Sequence, residues 1–344
     1  MSGPDEKYVV MSHADDTDGV GSALLVTKYL LGLTGVMPEV VFIKYDQIDE
    51  MVPQKAAEAD ELWLTDLSFR NLDLIEPLRK FGKERLFFFD HHGSSCEFAK
   101  ALEGLATIGF IHQGTHCAAD LVFEFVAPKL KDTDEYPWLE KLRRYTHSRD
   151  LWIRDEPNGD AFQQIINVLG PDRTFTLLNE DIKRIDPENW NYEMRLAKRI
   201  SDERLQESLA LAKATAVRSQ FKPGHPFAGF EVIAAMTNGD QSEAGEMLLG
   251  NRTGCVGLLT LNRQGMSLRT NERTFKEFNL GMNTLAEKLG GGGHPCAAGA
   301  PPTVELLCGG SNALFKLMHS LIEDELEARM KKFNESNTSL SNSN

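Results

Sequence analysis

Cysteine is scarce and unpatterned: Cys96, Cys117, Cys255, Cys296 and Cys308 are odd in number and show no C-x-x-C spacing. That excludes a disulfide framework and a thiolate zinc site, and predicts buried free thiols. Long apolar runs are also missing. No stretch approaches the roughly 18 residues that a membrane-spanning helix needs, and the opening Met-Ser-Gly-Pro-Asp-Glu-Lys lacks the basic start and apolar stretch of a signal peptide. A cytoplasmic protein with no membrane partner is expected. Positive charge is in deficit, with 37 Lys and Arg against 51 Asp and Glu and a net charge of -14. This opposes the broad basic track that a long nucleic acid requires, while short anions can still be held by local positive charge.

At 344 residues, with 41% hydrophobic and 26% charged residues, the chain suits two soluble globular domains. Lys7-Tyr-Val-Val-Met-Ser12, Glu61-Leu-Trp-Leu64 and Arg85-Leu-Phe-Phe-Phe89 read as buried strands. A helix from Gly19 and a strand over Val40 to Tyr45 make a βαβ start to a parallel sheet. Residues Thr115 to Phe125 read as helical, and a further helix delivers Asp150. From Asn189 to Arg218 the sequence is charged and free of Pro and Gly, which suits a connecting helix, and Pro223-Gly-His-Pro226 breaks it. Strands are expected at Phe230 to Met236 and Cys255 to Leu261, and the Ser- and Asn-rich end from Asn334 reads as disordered.

Each of the first three strands runs into acid or imidazole: His13-Ala-Asp-Asp16-Thr-Asp18-Gly19, Thr65-Asp66, and Asp90-His91-His92. In an open α/β sheet, ligands gather beyond the carboxyl ends of the strands, so these residues would converge there. Asp16 or Asp18 alone would suit a helix cap, but an acid followed by two imidazoles at a strand end has no capping rationale. Two divalent ions need a bridging carboxylate and outer carboxylate or imidazole ligands, and together can clamp both oxygens of a phosphoryl displacement. Mixed oxygen and imidazole donors favour Mn²⁺, Fe²⁺ or Zn²⁺ over Mg²⁺ or Ca²⁺.

The ordered set resembles the motifs of the DHH phosphoesterase superfamily, named for the triplet at Asp90-His91-His92. His13-x-x-Asp16-x-Asp18 looks like motif I, Asp66 like motif II, and Asp150 in Thr-His-Ser-Arg-Asp150 like motif IV. Gly290-Gly-Gly-Gly-His294-Pro-Cys-Ala-Ala-Gly299 is similar to the signature of the DHH-associated C-terminal domain, and Ser267-Leu-Arg269-Thr-Asn271 resembles its substrate-binding strand.

The resemblance implies an α/β fold: a parallel-sheet DHH domain over 1–188, a helical linker over 189–225, a smaller α/β substrate-binding domain over 226–333, a tail over 334–344, and a cleft between the domains. One ion would take His13 and Asp16, the other Asp18, His91 and Asp150, with Asp66 bridging and activated water as nucleophile. Spacing leaves open whether Asp15 or Asp16 binds. Asp90 would orient an imidazole and His92 face the scissile phosphate. Arg269, Asn271, Gly291, Gly292, Gly293 and His294 would hold the substrate, the glycines as an anion-binding nest. His116 and His147 read as structural. The implied cofactor is two divalent ions, Mn²⁺ foremost, with Mg²⁺, Co²⁺ or Fe²⁺ as substitutes.

The compact build is similar to the stand-alone nanoRNase branch, which implies hydrolysis of very short oligoribonucleotides and linear dinucleotides to mononucleotides. The alternatives are a cyclic dinucleotide phosphodiesterase or a 3′-phosphoadenosine 5′-phosphate phosphatase. Further from the pattern stand a RecJ-like exonuclease, a pyrophosphatase and an inactive nucleotide-binding module. The sequence leaves a monomer and a homodimer both open.

Overall fold

The computed structural model describes residues 6–112, 114–260 and 265–341. They form two compact units, divided between Ser201 and Asp202. Unit one contains β1 (Tyr8–His13), α1 (Thr17–Thr34), β2 (Glu39–Ile43), α2 (Ile48–Glu58), β3 (Glu61–Thr65), α3 (Ile75–Leu78), β4 (Leu86–Asp90), α4 (Cys96–Ala101), β5 (Thr107–Phe110), α5 (Ala118–Leu130), α6 (Tyr136–Asp150), α7 (Pro157–Leu169) and α8 (Pro171–Glu180). Helix α9 (Tyr192–Thr215) begins in it and ends in the second unit.

The first sheet is parallel throughout, in the order β2-β1-β3-β4-β5. Its strands read as unbroken apolar runs because both faces are covered. Alternation sorts the side chains: Tyr8, Val10, Trp63, Phe87 and Phe89 enter the core shared with α1, α5 and α6, while Val9, Met11, Leu62, Leu64, Leu86 and Phe88 enter the one shared with α2 and α4. Trp63 and Phe87, register partners on β3 and β4, stack with ring centroids 3.8 Å apart. After β1 the chain adds β2 on one side and β3 on the other, so the switch point lies between β1 and β3. That is where such a sheet opens a crevice at its carboxyl edge.

Unit two contains β6 (Val217–Gln220), β7 (Glu231–Thr237), α10 (Gln241–Leu249), β8 (Gly254–Thr260), β9 (Gly265–Thr270), α11 (Glu272–Phe278), α12 (Met282–Glu287), β10 (Gly292–His294), β11 (Ala297–Ala300) and α13 (Val304–Ser341). Its mixed sheet runs β10-β11-β9-β8-β7-β6, with only β7 and β8 parallel. The α/β class and the parallel N-terminal sheet expected from the sequence are both present.

Boundaries differ from the expectation. The unit boundary falls inside α9 rather than at 188 and 225, because Met194 packs in the first unit's core and Ala212 in the second's. The Pro223 to Pro226 break is the connection between paired strands β6 and β7, so the second unit starts before it. Residues 334–341, expected as a disordered tail, continue α13, since adding turns to a formed helix needs no new nucleus; 342–344 lie outside the described residues, as does Leu261 of an expected strand. Helix α13 is kinked at Gly310, whose φ is +56°. Among the described residues no helix is long and apolar enough to cross a membrane.

Candidate metal centre

Motif I places its residues through a strand end and a helix start. Asp16 caps α1, its Oδ1 accepting from the Gly19 N-H at 3.0 Å, while its Oδ2 lies 2.7 Å from His13 Nδ1. Capping and site-building are thus done by different oxygens of one carboxylate. Gly19 is required because a Cβ there would sit 2.0 Å from the His13 carbonyl oxygen. Asp15 instead points to the exposed Lys44 ammonium at 3.3 Å, so Asp16 is the acid facing His13.

Asp66 follows β3 with φ +54°, a left-handed conformation that costs a non-glycine residue on the order of 1 kcal/mol or more and persists where surroundings enforce it. Its amide donates to the Phe89 carbonyl at 2.9 Å. The buried carboxylate divides its oxygens: Oδ2 lies 3.6 Å from His13 Nδ1 and Oδ1 lies 3.6 Å from His91 Nε2. His91 Nε2 is also 3.6 Å from Asp18 Oδ2 and from Asp150 Oδ2. One set is therefore His13, Asp16 and Asp66, and the other is Asp18, His91 and Asp150 around the same Asp66. Asp18 is fully buried and anchored at the start of α5, accepting from the Ala118 and Ala119 amides at 2.7 Å each. Asp150 ends α6.

Asp90 and His92 form a pair one step removed. Asp90 is buried, and its Oδ1 lies 2.7 Å from His92 Nδ1, the imidazole-orienting contact expected of it. The other ring nitrogen, Nε2, is 3.1 Å from the Tyr45 hydroxyl.

The electrostatics describe a cluster short of cations. Burial, then the Asp66 and Asp150 carboxylates, push Asp18 well above the usual range. Burial likewise takes Asp150 to about 7 despite His91 nearby. Burial alone would raise Asp66, but the His13 and His91 imidazoles outweigh it and hold Asp66 far below the ordinary value. Those imidazoles answer in kind: burial opposes their charge, yet Asp16 and Asp66 hold His13 up at about 11, and Asp66, Asp150 and Asp18 do the same for His91. Among the described residues, the buried carboxylate oxygens Asp66 Oδ2, Asp90 Oδ2 and Asp150 Oδ2 have no hydrogen-bond partner. An orphaned buried oxygen of a charged group is costly unless a cation or donor meets it, so the donor set fits divalent ions with mixed oxygen and imidazole preference.

Because ligands must shed protons, Mn²⁺ binding at pH 7 should release at least two protons, those on His13 and His91, with Asp18 and Asp150 adding to the number. Calorimetry in buffers of different ionisation enthalpy would measure the number, and zero release would remove these imidazoles from the ligand set.

Three residues near the centre carry no local sequence signal. Tyr45, just past β2, stacks on His13 at 4.1 Å with the planes 12° apart. Burial, then the Asp66 and Asp16 carboxylates, push the Tyr45 hydroxyl far above its usual range, so it remains a neutral phenol. Cys117 is fully buried beside Asp18 and Asp150, where burial raises the thiol and keeps it neutral. Asp120 holds His147 Nδ1 at 2.6 Å and Arg143 at 2.8 Å, which accounts for His147 as structural.

In the second unit Arg269 lies on β9, its guanidinium donating to Ser242 Oγ at 2.7 Å. Gly245 makes room for its stem, since a Cβ there would be 3.1 Å from Arg269 Cγ. His294 is exposed on β10. The rest departs from the expected grip. Asn271 caps α11, accepting from the Thr274 amide at 2.8 Å and donating to the Arg252 carbonyl at 2.8 Å, so both ends of its carboxamide serve the fold. The glycine run is not an open nest: the Gly290 and Gly291 amides close α12 by donating to Glu287 and Ala286. Gly292 and Gly293 pair with β11, and Cβ atoms at Gly291 and Gly293 would come within 2.0 and 2.6 Å of the Gly299 and Ala297 carbonyl oxygens.

Residues 7–144 match the DHH family, N-terminal domain. No curated protein is a significant sequence relative. Among solved structures the chain is similar to the DHH domain of a member of a ribosomal-protein family (TM-score 0.64, 12% identity, 93% of this chain and 87% of that one). It is also similar to the pGpG-specific phosphodiesterase PggH from Vibrio cholerae (0.55, 13%, 91% and 99%) and to exonuclease RecJ bound to manganese (0.51, 14%, 90% and 89%). At such identities the likeness establishes fold. Family match and fold agree: residues 7–144 match the DHH family's N-terminal domain, and the chain shares its fold with these DHH-domain and phosphodiesterase structures.

Proposed function

We propose that this protein is a Mn²⁺-dependent phosphodiesterase that hydrolyses very short oligoribonucleotides and linear dinucleotides to mononucleotides. The observation that carries the reading is Asp66, each of whose oxygens faces a different imidazole, with carboxylates completing a donor set on either side. His13, Asp16 and Asp66 would hold one ion, and Asp66, Asp18, His91 and Asp150 the other. When bound, the ions would lower the pKa of water and neutralise charge on the phosphate. Asp90 keeps the His92 ring in place, and burial, offset by its bond to Asp90, leaves His92 with a raised pKa. A cationic imidazole so fixed would place positive charge beside the phosphate, acting through space because Asp90 and Tyr45 hold both ring nitrogens.

Substrate length is argued from charge. A net charge of -14 disfavours a long polyanion, and a short one needs few contacts. A pGpG-specific phosphodiesterase among the similar folds supports the same size class. Arg269 and His294 are proposed as donors to the substrate's far phosphate. On that basis Arg269→Ala should lower kcat/KM for dinucleotides by about tenfold to a hundredfold, the worth of one charge-assisted contact. Mn²⁺ affinity should stay unchanged, because every proposed ligand lies in unit one; lost metal binding would refute the assignment.

The deciding experiment incubates purified protein and Mn²⁺ with linear dinucleotides, a long single-stranded RNA, cyclic dinucleotides, 3′-phosphoadenosine 5′-phosphate and pyrophosphate. Linear dinucleotides should be consumed first and yield mononucleotides. Preference for any other member of the panel would overturn the reading in favour of that member's enzyme class.

A further inference from the structure

Tyr45 has no place in the sequence motifs and little in the core. It stands in the first turn after β2 and is 41% exposed, so burial of apolar surface does not explain its position. What its ring and hydroxyl touch is the metal centre. One face lies flat on His13 at 4.1 Å, and the edge meets His92 with centroids 5.5 Å apart at 75°. The hydroxyl reaches His92 Nε2 at 3.1 Å and His13 Nδ1 at 3.4 Å. With Asp90 on Nδ1 and Tyr45 on Nε2, both nitrogens of His92 are held, from opposite ends of the ring.

We propose that Tyr45 is a positioning residue for the phosphoester reaction: its hydroxyl fixes the His92 ring, and its ring face fixes the plane of His13 as a metal ligand. The mechanism is that of an outer partner in a metal site. An imidazole tethered at one nitrogen swings about its ring axis, and one tethered at both does not; loss of such a partner typically costs about tenfold to a hundredfold in activity or metal affinity. The two parts of Tyr45 therefore act on separable quantities. The loop that presents it is itself held, by the Lys44 amide donating to Gln47 Oε1 at 2.9 Å and the Ala14 amide donating to the Ile43 carbonyl at 3.0 Å.

The proposal rests on the phosphodiesterase reading, and its test separates the two. Tyr45→Phe keeps the ring and removes the hydroxyl; Tyr45→Ala removes both. On a linear dinucleotide and on bis(p-nitrophenyl) phosphate, Tyr45→Phe should lower kcat about tenfold with KM and calorimetric Mn²⁺ affinity unchanged. Tyr45→Ala should lower Mn²⁺ affinity as well, by about tenfold or more. Melting temperatures should barely move in either variant, because the side chain is at the surface. Wild-type kcat in Tyr45→Phe, or wild-type Mn²⁺ affinity in Tyr45→Ala, overturns the proposal. Failure of the wild-type protein to cleave dinucleotides would instead refute the substrate, and Tyr45 would still be judged by Mn²⁺ affinity and the generic diester.

Discussion

Replacing Asp66 by asparagine should reduce phosphoester hydrolysis by at least about a thousandfold while leaving the fold intact. The magnitude follows from what the carboxylate is placed to do: metal ions supply several kcal/mol of transition-state stabilisation, and each ~1.4 kcal/mol is tenfold in rate. A neutral carboxamide has one acceptor oxygen where Asp66 offers two, aimed at His13 and at His91. Asparagine is the appropriate substitute because it tolerates the left-handed conformation at φ +54°, where alanine would add strain of its own. Circular dichroism would verify the fold and a turnover assay the loss. Asp15→Ala is the control, since Asp15 faces Lys44 and not the imidazoles, and it should keep most activity. Retention of a large share of activity in Asp66→Asn would end the bridging assignment.

Metal removal should have an effect as large on turnover and a readable one on stability. Chelation should abolish activity, and Mn²⁺ should restore it better than Ca²⁺, because the donor set mixes imidazole with carboxylate. An ion at about a hundred times its dissociation constant adds about 2.7 kcal/mol of stability, or roughly 5 to 10 °C in melting temperature for a domain of this size. The increment should also depend on pH. In the metal-free protein the Asp150 value of about 7 lies above the ordinary 3.8, so its proton stabilises the fold below about pH 4 and that contribution is lost as pH rises to about 7. His13 and His91, held at about 11 against an ordinary 6.5, contribute stability to the metal-free protein that is fully present below about pH 6.5 and is lost progressively as pH rises from there towards 11. The difference in melting temperature between Mn²⁺-loaded and chelated protein should therefore widen between about pH 5 and pH 8. A difference that is absent, or flat across that range, would contradict the joint ligand roles of Asp150, His13 and His91.

Strands β1 to β4 of the first sheet, the acids and imidazoles that follow β1, β3 and β4, and the α/β class were legible in the sequence for a local reason, whereas β5 was not read from it. A run such as Leu86-Phe-Phe-Phe-Asp90 is apolar at consecutive positions because both sheet faces are covered, and it ends in charge because the strand has reached the open edge. The helix cap at Asp16 is likewise written within three residues. Only the tertiary structure decided which side chains meet. The motif I reading favoured Asp16 but its spacing left Asp15 open; the fold turns Asp15 to Lys44 and Asp16 to His13. Tyr45 reaches the centre because β2 lies beside β1, a strand order that no local pattern records. The same limit applies to the glycines at 290–293, whose composition suits an open nest but whose backbone closes α12 and pairs with β11. It applies to Asn271, a substrate donor by motif and a helix cap by geometry. Periodicity and capping depend on neighbours three or four residues away, whereas convergence depends on contacts between residues a hundred apart, such as Asp18 with Ala118. Those are set by packing of the whole unit.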